Sequence, residues 1–185
     1  MALRPLDIEY PVDPKKELIS ETDVKGNITY ANENFVDLSG YSEKELVGSP
    51  HSLIRHVDMP KTVFKLLWDN LLAGKDYKAI VQNKRKDGKY YWVYSTYQVL
   101  YDKDHKIRGF RSKRHPVPKK ALEEVKAIYQ KLLALEETKG QKGAEEFLEH
   151  KLFNDGYHDY AEYVEDIYNT KLKGLFGFLG KLFGR

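Results

Sequence analysis

The chain has 185 residues, 41% hydrophobic and 32% charged, which suits one well-buried core with extensions better than two full domains. It has no cysteine, which excludes disulfides, thiolate metal sites and cysteine nucleophiles, and its net charge of +3 without a basic, aromatic-rich surface argues against nucleic acid. No stretch approaches the roughly 18 to 20 consecutive apolar residues of a membrane span, and the N-terminus lacks the apolar run of a secretory signal, so a cytoplasmic protein is expected.

Residues 1–17 read as an N-terminal cap with flanking helix. Residues 18–32 hold two segments rich in Ile, Val, Thr and Tyr around Lys25-Gly26-Asn27, the pattern of a hairpin with a Gly-Asn turn. Short pieces follow, broken at Gly40, Gly48 and Pro50, with Ser42 and Glu45 spaced as a capping box. Pro60 opens a regular helix in which Val63, Leu66, Leu67 and Leu71 fall at helical spacing, and Gly74 ends it. From Tyr77 the period changes to that of strands, three of them, joined at Asp87-Gly88 and around Asp102 to His105. These elements predict an α+β unit over 18–116 with a five-stranded antiparallel sheet and short helices on one face, inserted between the second and third strands. Pro116 and Pro118 mark its exit. An amphipathic helix over 117–136, apolar at Leu122, Val125, Ile128, Tyr129 and Leu132, is expected to leave the domain.

The stretch TDVKGNITYANENFVDLSGYSEKELVGSPHSLIRHVDMP at 22–60, followed by NKRKDGKYYWV at 83–93, resembles the PAS domain of bacterial aerotaxis receptors. The Arg55-His56-x-Asp58-Met59-Pro60 block points to that subgroup. The resemblance implies a PAS fold that binds FAD noncovalently and reports electron-transport activity through the flavin's redox state. Receptors of this kind continue into a membrane anchor and a helical signalling domain. The sequence is therefore read as a free-standing redox and energy-taxis sensor that signals to a separate, membrane-bound chemoreceptor-like transducer, with a homodimer as a further expectation. An enzyme is not expected: no nucleophile stands with a recognisable base, and there is neither a phosphate-cradling glycine loop nor a kinase or cyclase motif. No metal site is expected either, since no histidine pair has a ligand spacing such as HExxH.

On this resemblance Arg55, His56 and Asp58 match positions needed for flavin binding. Arg55 suits bidentate phosphate contact, and His56 can donate to phosphate or stack. Strand alternation puts Tyr77, Ala79, Val81 and Asn83 on one face, from which the Asn83 amide can meet the polar edge of a flavin or satisfy its own sheet. Tyr77 stands where relatives often carry tryptophan near the ring. Phe64 and Trp68, spaced i to i+4, are either cofactor contacts or core. Asn32 either touches the ligand or caps the helix that starts at Glu33. A haem-binding domain with His56 as axial ligand, another small ligand, or a cofactor-free interaction adaptor are the competing readings.

Residues 137–170 are acidic and aromatic, and two short helices are expected there, split near Asn154-Asp155-Gly156. Residues 171–185 carry four positive charges and no acid, with Leu172, Leu175, Phe176, Leu179, Leu182 and Phe183 on one helical face. This basic amphipathic segment is suited to the inner face of a membrane, to a partner receptor, or to packing on its own domain.

Overall fold

The computed structural model describes residues 6–170. Two strands, β1 (Leu18–Asp23) and β2 (Ile28–Ala31), form the first hairpin, and Gly26 at φ +83° makes its turn. Between β2 and β3 run α1 (Glu33–Ser39), the single turn α2 (Glu43–Leu46), a 3-10 turn (His51–Ile54) and α3 (Lys61–Leu72). The strands β3 (Tyr77–Lys84), β4 (Tyr90–Tyr101) and β5 (Ile107–Pro116) complete a five-stranded sheet in the order β2-β1-β5-β4-β3, with every neighbouring pair antiparallel.

The turn residues fix these elements. Gly40 takes the left-handed conformation that closes α1, and Ser42 N–H donates to Glu45 Oε2 at 3.0 Å across the capping box of α2. The β3–β4 turn closes through Arg85 N–H to Lys89 O at 2.7 Å with Gly88 at φ +87°. Alternation then sorts the sheet into two faces. Leu18, Ser20, Val81, Asn83, Tyr91, Val93, Tyr97, Phe110, Ser112 and Arg114 face inward, under α3, whose Val63, Leu67 and Leu71 are buried.

Two expectations are corrected at the ends of the domain. The described part of the N-terminal segment is extended instead of helical: Leu6 N–H donates to Gly88 O at 2.7 Å, Tyr10 N–H to Tyr90 O at 2.6 Å, and Glu9 bridges Tyr90 in parallel. Pro11, Pro14 and the turn residues favour this, and the end of β4 supplies the partners. The second correction concerns the exit helix, which turns back onto the sheet. Here α4 (Lys119–Asn154), broken at Gly140, and α5 (160–170) cover the outer face. Tyr168 stacks on Tyr94 with centroids 4.0 Å apart, Tyr129 packs beside Trp92, and the Tyr129 hydroxyl donates to the Ile80 carbonyl and meets the Tyr160 hydroxyl. The amphipathic stripe read from the sequence is real, and its apolar side finds the nearest aromatic surface. The basic segment 171–185 lies outside the described residues.

Candidate functional site

Between α3, the 3-10 turn and the inner face of the sheet lies a cavity of about 430 Å³. This is within the size range of small-molecule sites. Phe64, Leu67, Trp68 and Leu71 of α3 form one wall, and Tyr97 and Phe110 of β4 and β5 form the floor. Trp68 meets Phe110 edge-to-face at 5.7 Å. The rim carries Lys25, Arg55, Lys61 and Lys65. Lys65 is held by Asp69 at 2.7 Å and Glu145 at 3.3 Å, whereas Arg55 has no carboxylate within 4.0 Å among the described residues. The Arg55 guanidinium lies over the Phe64 ring at 4.1 Å and donates to Met59 O at 3.3 Å. Burial makes its proton easier to lose than in water, partly offset by the charge of Glu136.

One polar atom of the cavity lining has no partner: Asn83 Nδ2 is buried without a hydrogen bond. On the same face of the sheet but outside the lining, the Tyr91 hydroxyl, Ser95 Oγ and both Nε and Nη1 of Arg114 are also buried without one. Arg114 is 1% exposed; its Nη2 reaches Ser20 Oγ at 2.9 Å and His51 Nε2 at 2.8 Å, and its guanidinium lies over Phe35 at 4.4 Å. No carboxylate lies within 4.0 Å of it among the described residues. Burial beside that guanidinium pushes the His51 imidazole down to about 3, and burial pushes the Tyr91 phenol up to about 12.

Of the eight residues singled out in the sequence, the cavity brings together Arg55, Phe64, Trp68 and Asn83. Arg55 and Asn83 meet directly, as an isolated antiparallel bridge ties the segment after the 3-10 turn to the end of β3. The other four lie elsewhere. Because that segment is extended, the residue after Arg55 points the other way. His56, 4% exposed, packs its ring edge on Tyr90 at 5.6 Å and accepts from Asp58 N–H at Nδ1, 3.2 Å away. His56 and Asp58 line a shallow depression with Leu6 and Tyr90, so a haem ligated by His56 would lie outside the cavity. Burial lowers the His56 pKa, which Asp58 opposes and Lys84 reinforces. Asn32 uses its whole amide in structure: Oδ1 accepts from Phe35 and Ile19 N–H at 3.0 Å each, and Nδ2 donates to Glu17 O at 2.8 Å. Tyr77 sits on the inward face as alternation requires, opposite Tyr97, but does not line the cavity. Its phenol is raised by burial and by Asp159.

Sequence reasoning missed Arg114 and His51. A signal for Arg114 was present: on β5 it shares parity with Phe110 and Ser112, while Arg111 and Lys113 take the other face. His51 carried none, since its role comes from a 3-10 turn packed against a distant strand.

Residues 28–112 match the PAS fold family. The chain is 39% identical to the aerotaxis receptor of Escherichia coli over 124 residues, 67% of this chain and 24% of the receptor. It is 32% identical over 83 residues to a biofilm dispersion protein of Pseudomonas aeruginosa, covering 44% of this chain and 20% of that protein. The chain thus spans no more than about a quarter of these relatives' lengths. Among solved structures, a light-oxygen-voltage domain studied with a flavin analogue superposes with a TM-score of 0.52 at 20% identity, covering 67% of this chain and 89% of that one. The light-state domain of the photoreceptor aureochrome 1 gives 0.52 at 22%, covering 65% and 91%. At these identities the two structures establish the fold alone.

Proposed function

From the premise that the chain carries a PAS sensory domain similar to that of the aerotaxis receptor, we propose that it binds FAD noncovalently in the Arg55 cavity and signals the flavin's redox state. The observation that carries this reading is a half-buried arginine, with no carboxylate within 4.0 Å among the described residues, at the mouth of a cavity whose lining holds an unpartnered amide, Asn83 Nδ2. Buried donors of this kind are costly unless a ligand or water accepts from them. The residues fit a flavin dinucleotide. Arg55 and Lys61 would hold the pyrophosphate, Phe64 and Trp68 would flank the apolar part of the ligand, and Asn83 would accept and donate at the polar edge of the ring. Arg114, behind the lining on the same face and with no carboxylate within 4.0 Å among the described residues, adds positive charge that favours an anionic ligand.

When bound, the flavin supplies a change of charge and protonation at its ring on reduction. Asn83 sits on β3, an edge strand, so a change in its hydrogen bonding acts on that strand first. Three residues away the Ile80 carbonyl accepts from Tyr129 of α4, which gives β3 a direct connection to the C-terminal helices. The output goes to a separate chemoreceptor-like transducer, with a homodimer of this chain and a membrane contact through 171–185 as further parts of the proposal. Among the described residues no helix is long and apolar enough to cross a membrane. The chain acts as a sensor and not as an enzyme.

The test is an absorption spectrum of the purified chain incubated with FAD, before and after dithionite. Oxidised-flavin bands that bleach on reduction are expected. Arg55→Ala and Asn83→Ala are each expected to weaken FAD retention by about tenfold or more, the loss of one charge-assisted or buried hydrogen bond. His56→Ala is expected to lower the unfolding midpoint while flavin still binds to the folded fraction. A colourless wild type that refuses added FAD would overturn the reading and leave a cofactor-free adaptor in its place.

A further inference from the structure

The cavity-wall helix α3 is closed at its N-terminus by a residue 74 positions away. Glu136 of α4 accepts from Thr62 N–H at 2.7 Å, from the Thr62 hydroxyl at 2.8 Å and from Lys61 N–H at 3.1 Å. These are orphan donors of the first helical turn, and Pro60 at the N-cap offers no side-chain oxygen for them. A turn further along, Lys65 of α3 pairs with Glu145 at 3.3 Å. The C-terminal extension therefore grips the cavity wall at two points.

Between those two points α4 is broken. Gly140 stands at φ 70° and ψ 176°, a conformation reserved for glycine, and nothing lies within 4 Å of where a Cβ would be. Glycine is needed there for the backbone angle and not for space, as at a hinge. The Glu136 carboxylate also acts on Arg55, the rim arginine that has no carboxylate of its own. Glu136 is thus the negative charge that partly balances the mouth of the cavity while it caps the wall.

We propose that Glu136 is the contact through which occupancy of the cavity is passed to the C-terminal helices. An anionic ligand held at Arg55 and Lys61 sets like charge beside the Glu136 carboxylate. The cap on α3 weakens, and the part of α4 around Gly140 moves away from the cavity wall. The inference rests on the flavin reading, because the phosphate charge of the ligand is what displaces the carboxylate.

Amide hydrogen exchange on the full chain, with and without FAD, tests it in the wild type and in Glu136→Gln. Glutamine keeps a carbonyl oxygen for the cap and removes the charge. In the wild type FAD is expected to speed exchange in residues 61–64 and 133–146 by about tenfold, a change typical of a modest shift in local opening. In Glu136→Gln the change is expected to stay under about twofold. Retained flavin with unchanged wild-type exchange overturns the inference and leaves the flavin reading standing, and so does equal acceleration in both proteins. Absence of flavin absorption in the same samples overturns both. The wild-type comparison stands even if the variant folds poorly.

Discussion

His51, partly buried at the cavity, and the buried Arg114 meet with opposite demands. The guanidinium stays charged because arginine scarcely loses its proton, and the imidazole beside it stays neutral, pushed from 6.5 down to about 3 by burial and then by that charge. The unfolded chain binds a proton at His51 below about 6.5 that the folded chain refuses until about 3. The contribution to stability is therefore fully present above about 6.5 and is lost as pH falls toward about 3, with a slope of at most ~1.4 kcal/mol per pH unit. His56 is shifted in the same direction and adds to the loss. Denaturant unfolding of His51→Gln at several pH values is expected to show a flatter fall in stability between about pH 6 and about pH 4 than the wild type. Identical slopes would mean that the imidazole is not held neutral. At this scale the sequence was a mixed guide. The motif gave Arg55 and His56 together, but could not say that Arg55 lines the cavity while His56, its neighbour, points to the opposite side.

The elements were legible where turn chemistry and periodicity agreed. Gly26, Gly40, Gly88 and the Asp102–His105 turn all mark boundaries that the backbone observes. The first hairpin also shows how an element boundary serves the site. Gly26 has φ +83°, and a Cβ built on it would lie 3.0 Å from two atoms of the Trp68 ring. The turn thus abuts the tryptophan that walls the cavity. Gly26→Ala meets both a left-handed backbone and that ring, and is expected to cost ~1 to 3 kcal/mol. Denaturant unfolding followed by tryptophan emission checks it, with Trp68 and Trp92 as the two reporters. A wild-type midpoint and spectrum would show that the turn has room to shift. The capping of α3 was not legible, because its partner is 74 residues distant.

At the scale of the molecule, both faces of the sheet are covered, the inner by α3 and the short helices and the outer by α4 and α5. The outer face is strongly aromatic: Trp92 under Tyr129, Tyr94 under Tyr168, with Lys78 paired to Glu165 beside them. Removing residues 119–185 uncovers that patch, and exposed apolar patches drive association. The shortened chain is expected to self-associate with rising concentration in light scattering and to bind a hydrophobic dye, more than the full chain does. A shortened chain that stays monomeric and dark would show that the helices rest on the sheet without being needed to shield it. An amphipathic stripe such as that of α4 announces that it will be buried but not against what.

The α+β class, the order of strands and helices, the PAS resemblance and the alternation that groups Asn83 with Tyr77, Ala79 and Val81 were legible in the residues alone. These follow from period, turn residues and local motif, all properties of neighbours along the chain. Packing between distant segments settled that Arg55 and Asn83 meet, that His56 packs on Tyr90 and Asn32 bonds to backbone outside the cavity, that Arg114 is buried with no carboxylate within 4.0 Å among the described residues, and that Glu136 caps α3. Each of these is a contact between residues far apart in sequence, where packing and desolvation select the partner, and neither leaves a periodic trace in the chain.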